Sequence, residues 1–79
     1  MTLAEAMPAL LDGKRLRPGR GYRFVQRVRF TADGADVGSM LAEFSFIGDA
    51  PVTSRDCYVT NANWSADWYA LTRDDWEVF

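Results

Sequence analysis

The last sixteen residues of the chain, Trp64 to Phe79, hold all three tryptophans and five of the eleven aromatic residues of a 79-residue sequence. Each such ring offers roughly 150–250 Å² for burial, so a segment this rich in rings is not a frayed terminus. It has to pack into a core, an interface or a ligand site. A chain of this length buries only about 60% of the surface its unfolded form exposes. One domain spanning residues 1–79 is therefore expected, with oligomerisation as the remedy for a small core. Hydrophobic residues at 48% and charged residues at 25% are globular values and argue against disorder.

Charge is distributed unevenly along the chain. Lys14, Arg15, Arg17, Arg20, Arg23, Arg27 and Arg29 are seven of the nine basic residues, and no acid lies among them. From Thr31 onward nine acids face only Arg55 and Arg73. Two readings fit. The halves pair with each other across a sheet or a subunit contact, or the arginine forks bind an anion such as phosphate in the bidentate way that guanidinium geometry favours. Long nucleic acid is disfavoured as a partner, because the net charge of −2 and the acidic half repel a polyanion. Cys57 is the single cysteine and there is no histidine. An intramolecular disulfide is thereby excluded, no soft-ligand metal site is expected, and no cofactor is implied. No apolar run approaches the roughly 20 residues that cross a bilayer, so a soluble cytoplasmic protein without a membrane partner is expected.

Local signals predict an α+β fold with an N-terminal helix packed on a small antiparallel sheet and a short helical segment before a C-terminal strand. Thr2-Leu3-Ala4-Glu5 reads as a capping box. Leu3, Met7, Leu10 and Leu11 then share a helix face, Gly13 supplies the stop, and Pro8 is expected to kink or shorten the helix. Pro18-Gly19-Arg20-Gly21 reads as a loop. Tyr22 to Thr31 reads as a strand with Tyr22, Phe24, Val28 and Phe30 on a buried face, and Arg23, Arg27 and Arg29 with Val25 on a cationic one. After a turn at Ala32 to Asp36, a second strand from Met40 to Ile47 completes a hairpin, with Glu43 across from an arginine. A third strand is expected from Arg55 to Thr60 and a turn at Asn61 to Asn63. A helix from Ala66 to Leu71 capped by Ser65 and a closing strand from Trp76 to Phe79 follow.

Reaction chemistry is poorly represented. Without histidine, a Ser-His or Cys-His pair is impossible within the chain. Cys57 falls inside a predicted strand, as a structural thiol does. Asp67, Asp74 and Asp75 lack the spacing of a carboxylate metal loop, and Gly19-x-Gly21 lacks the context of a phosphate-binding loop. Binding chemistry is better supplied. Tyr22, Trp64 and Trp68 are rings on which a base can stack, Arg17, Arg20 and Arg23 are phosphate partners, and Asn61, Asn63, Ser65 and Asp67 are polar partners for sugar or base. Each has a structural alternative, and Trp76 reads as core.

The two ends together resemble the Thoeris anti-defence 2 family of small phage proteins. The opening Met1-Thr2-Leu3-Ala4-Glu5-Ala6, followed by Leu10, Gly13-Lys14, Arg17 and the aromatic Tyr22, is similar to that family's E-A-(x)n-L-x-x-G-K start and nearby R-x-x-G-W. Trp64, Leu71 and Asp75-Trp76-Glu77-Val78 resemble its W-(x)n-D-x-L-A-x-D-W-E-V close. The middle, from Arg23 to Asn63, is unassigned. Tyr22 replaces tryptophan and lacks the following Asn-Gly. Asp67 stands where Ser or Thr is common, Ala70 replaces Asp, and Thr72-Arg73 replaces Leu-Ala.

The resemblance implies a sponge rather than an enzyme. It would bind and sequester a cyclic nucleotide immune second messenger, glycocyclic ADP-ribose or a cyclic oligonucleotide, in the cytoplasm of the infected bacterium, without cleaving it. It further implies a homotetramer built from dimers, with pockets at subunit interfaces. The departures imply a divergent member with shifted ligand specificity. The expected ligand-binding residues are Arg17, Arg20, Tyr22, Trp64, Ser65, Asp67 and Trp68, with Asp75 ordering the tail through backbone hydrogen bonds. The competing reading is a protein-binding inhibitor that blocks a bacterial immune effector directly.

Overall fold

The computed structural model describes residues 1–19, 23–46 and 57–79. Its elements run α1 (Leu3–Leu11), β1 (Leu16–Pro18), β2 (Arg23–Ala32), β3 (Ala35–Phe46), β4 (Cys57–Asn61), α2 (Trp68–Thr72) and β5 (Trp76–Val78). The five strands form one sheet in the order β4-β3-β2-β1-β5, with every pairing antiparallel. The fold is α+β, with α1 against the sheet and α2 just before the last strand, as the sequence predicts. No helix among the described residues is long and apolar enough to cross a membrane.

The N-terminal signals act as read. Glu5 N donates to Thr2 Oγ1 at 3.2 Å while Thr2 N donates to Glu5 Oε1 at 2.9 Å, which closes the capping box. Gly13, at φ +88°, ends the helix in a Schellman arrangement. Its N–H reaches Leu10 O, and Lys14 N reaches Ala9 O. Two expectations need correcting. The helix is not shortened at Pro8 and continues to Leu11, because Pro8 lies on the exposed side, where water can satisfy the Ala4 carbonyl that proline cannot. The buried stripe is Leu3, Ala6 and Leu10, with Met7 partly packed and Leu11 more than half exposed.

The β2–β3 hairpin turns at Asp33-Gly34, both with positive φ, the type I′ geometry that matches strand twist. Its second strand starts at Ala35 rather than Met40. The ladder absorbs the unfavourable Asp36-Val37-Gly38 stretch through a register shift next to Phe30 and Thr31. Asp36 Oδ1 accepts from Gly38 N there. Glu43 sits opposite Val25, one step from Arg23, and its Oε1 is 4.0 Å from Arg23 Nη1. The expected cross-strand pair is present, on the diagonal. Of the predicted third strand, Cys57 to Thr60 lies in β4, while Arg55 and Asp56 are outside the described residues.

Strand β1 has no counterpart in the sequence reading, although it lies between β2 and β5. Leu16 pairs with both Val25 and Val78, Arg17 with Glu77, and Pro18 with Trp76. Three residues ending in proline carry too little pattern to declare a strand, and only its partners define it. This strand also corrects the expectation of one buried and one cationic face on β2. Cross-strand partners share a face and successive residues alternate. Leu16, Val25 and Trp76 therefore face α1, in a core with Leu3, Ala6, Leu10 and Ala70. On the opposite face Phe24 stacks on Phe44 at 5.1 Å and meets Phe46 and Phe79, with the Arg15 guanidinium 5.4 Å and 5.0 Å from the rings of Phe24 and Phe79. Phe24 and Val25 are both buried.

Trp76 joins these parts. Its indole is buried and Nε1 donates to Ala70 O at 2.9 Å, pinning α2. Its backbone N donates to Met1 O at 2.9 Å, and the Met1 ammonium donates to the carbonyls of Asp74 and Trp76. Replacing Trp76 by Phe leaves the Ala70 carbonyl without its buried donor. The expected cost is about 1–3 kcal/mol, read as a lower urea midpoint at unchanged slope.

Candidate functional site

A cleft of about 170 Å³ opens where β1 ends, β5 begins and the segment from Trp64 to Arg73 crosses the α1 side of the sheet. The sheet supplies Pro18, Glu43 and Trp76, and the crossing segment supplies Trp64, Asp67, Tyr69, Ala70 and Arg73. Trp64 is anchored from both sides. Its N–H donates to Leu41 O at 2.7 Å, and its ring meets the Trp76 ring edge-on at 6.3 Å. The indole thus forms a wall whose position follows from the core.

Asp67 is the cap of α2. Its Oδ1 accepts from Ala70 N at 2.9 Å, and its carbonyl accepts from Leu71 N. This corrects the expectation that Ser65 caps a helix from Ala66. The buried contact of Ala70 with Trp76 fixes the register, and Asp67 then falls three residues before Ala70, where a cap belongs. Ser65 is exposed. The short helix leaves Trp68 and Tyr69 75% and 79% exposed, with Leu71 at 58%. Tyr69 also lines the cleft, so exposed apolar side chains lie on α2 next to it.

Of the expected ligand residues that are described, two share the cleft. Trp64 and Asp67 meet in the cleft, while Ser65 and Trp68 belong to the crossing segment but not to its lining. Arg17 is on the opposite face of the sheet. Its Nε hydrogen-bonds Glu77 Oε1 and its guanidinium lies 4.9 Å from the Phe79 ring, so its charge is already matched. The register of β1 against β5 causes this, and no local signal carries it. Arg20 and Tyr22 lie outside the described residues.

Sequence reasoning missed Glu43, Tyr69 and Arg73 as lining. Arg73 had a readable signal, because in an extended segment side chains two residues apart point the same way. Arg73 Nε and Nη2 clasp Asp75 Oδ1 and Oδ2 at 2.5 Å and 2.8 Å. Asp75 orders the tail through the backbone as expected, its carbonyl accepting from Gly19 N at 2.8 Å, and its carboxylate adds the clasp with Arg73. The hydrogen bond from Arg73 holds the Asp75 carboxyl below its ordinary value, and Arg73 is raised in turn. Gly19 makes room for the clasp. At φ +59° a Cβ there would sit 3.0 Å from Asp75 Oδ2.

Glu43 accepts from Thr60 Oγ1 at 3.0 Å besides facing Arg23. The lining therefore combines three flat rings, of which Trp76 is buried, two carboxylates able to accept from hydroxyl or amine groups, and one bidentate cation. Among the described residues no three His, Cys, Asp or Glu side chains gather as metal ligands would. Comparison of the chain with protein-family models, with curated proteins and with solved structures finds no match.

Two expectations follow. Gly19→Ala forces a left-handed residue against the Asp75 carboxylate and lowers stability by about 1–2 kcal/mol from the backbone alone, measurable by urea melts. The carboxyls of Glu5, held down first by the Thr2 backbone bond, and of Asp75, held down by Arg73, release protons more readily folded than unfolded. Their contribution is complete above the unfolded carboxylate value of about 4 and is lost as pH falls through the lower folded-state values. The urea midpoint should drop on acidification, and a Glu5→Gln/Asp75→Asn double variant should show a shallower drop.

Proposed function

We propose that this chain is a non-catalytic sponge that captures a cyclic nucleotide immune second messenger in an infected bacterium, as the resemblance to the Thoeris anti-defence 2 family implies. The observation that carries the reading is the cleft itself. Trp64 and Tyr69 offer faces for a base, Glu43 and Asp67 accept from sugar hydroxyls or base amines, and Arg73 offers a fork for phosphate. These are the parts of a nucleotide site.

The cleft's size supports an interface pocket. About 170 Å³ is less than the roughly 300–1,000 Å³ of sites that enclose a small-molecule ligand, so one chain supplies part of a wall. The exposed Trp68, Tyr69 and Leu71 beside it suit cover by a second copy, consistent with a homotetramer built from dimers. Capture by mass action needs affinity and abundance rather than a catalytic base.

The same exposed rings favour the second reading, a direct inhibitor of an immune effector protein, in which they would be the anchors of a hetero-interface. Calorimetry against cyclic di- and trinucleotides and cyclic ADP-ribose isomers separates the two. Tight uptake with intact ligand recovered after heating is the expected result. Silence across the panel, or recovery of cleaved products, rejects the sponge. Light scattering tests the interface pocket independently, since a strict monomer at micromolar concentration has none.

A further inference from the structure

Arg73 and Asp75 form a bidentate clasp at the edge of a cleft whose lining also holds the rings of Trp64, Tyr69 and Trp76 and the carboxylates of Glu43 and Asp67. Both side chains are about half exposed, at 41% and 46%, so solvent and small solutes reach them. The clasp is not part of the core. Its geometry is that of a guanidinium holding a two-oxygen anion, the same geometry in which it would hold two oxygens of a phosphate.

We infer that Arg73 is the anion-recognition residue of the cleft and that Asp75 is its built-in competitor, occupying the fork until a ligand phosphate displaces it. The inference rests on the nucleotide reading of the cleft for its choice of ligand, and it adds a residue and a mode of regulation to that reading. Three features support an exchange rather than a fixed structural pair. Exposed ion pairs are weak, so opening the clasp costs little. The Asp75 carboxylate lies against Gly19, where no side chain blocks its departure. Its backbone carbonyl stays bonded to Gly19 N, so the tail keeps its place when the carboxylate lets go.

The other two carboxylates of the lining do not compete for the fork. Asp67 is engaged as the cap of α2, and Glu43 is engaged with Thr60 and Arg23. They face the ligand as acceptors, which suits hydroxyl and amine donors and repels a second phosphate. The favoured ligand portion is thus one ring, one sugar and one phosphate for each cleft.

The test uses the intact chain and two probes, adenosine 5′-monophosphate and adenosine, with the indole N–H resonances followed during titration. The monophosphate should bind about tenfold more tightly than the nucleoside, with the Trp64 resonance shifting, and added salt should erode that advantage. Arg73→Gln should abolish the difference while the far-ultraviolet spectrum stays unchanged. Asp75→Asn should tighten the monophosphate by about two- to fivefold, the factor that an exposed ion pair is worth. Equal binding of the two probes, no binding of either, or weaker monophosphate binding in Asp75→Asn overturns the inference. Uptake of a cyclic messenger that survives Arg73→Gln intact also overturns it, but leaves the sponge standing. Phosphate discrimination through Arg73 in a chain that takes no cyclic messenger upholds the inference and removes the sponge.

Discussion

The buried indole of Trp76 is the contact on which the rest of the structure depends. One side chain closes the core beneath α1, holds α2 by its N–H to Ala70, and backs the Trp64 wall of the cleft. Its backbone meanwhile pairs with Pro18 on one side and bonds Met1 on the other. The cleft is a by-product of that packing. Trp64 and Ala70 stand where they do because both rest on the same ring system, and Asp67 and Arg73 flank the helical turn that Ala70 anchors.

Much of this arrangement was legible where the physics is local. The capping box at Thr2 and Glu5 and the Gly13 stop need only a few neighbouring residues and stand as read, and the expected turn from Ala32 to Asp36 is present but tightened to Asp33-Gly34. Features decided by distant partners were not legible. Strand β1 exists because Leu16 finds Val25 and Val78, and Arg17 leaves the candidate site because Glu77 is its register partner. The cap of α2 moves from Ser65 to Asp67 for the same reason, since a tertiary contact with Trp76 sets which residue begins the turn. Of the expected ligand residues, Trp64 and Asp67 reach the cleft, whereas Arg73 was read as one of two cations in the acidic half and as part of a departure from a motif, not as a ligand residue.

The uneven charge of the sequence resolves in part into internal pairing. Arg17 meets Glu77, Arg23 approaches Glu43, and Lys14 approaches Asp12. Arg15 and Arg17 also lie over phenyl rings, a second use of guanidinium that tolerates partial burial. Arg15 and Arg17 therefore build the sheet face away from the cleft, while Arg23 and Arg27 share the α1 face with Val25. The cleft's own cation comes from the acidic half of the chain, where a lone arginine among aspartates is easily overlooked.

The strand order has a consequence in time. Arg17 and Glu77 are paired across 60 residues of sequence, and the hydrogen bonds of Met1 with Trp76 span 75. Closing loops of that length before any contact rewards them slows folding. During synthesis the β2–β3 hairpin and α1 can form early, but β1 keeps an open edge and α1 a half-covered face until Trp76 to Val78 emerge. The nascent chain thus carries a docking groove addressed to its own last strand.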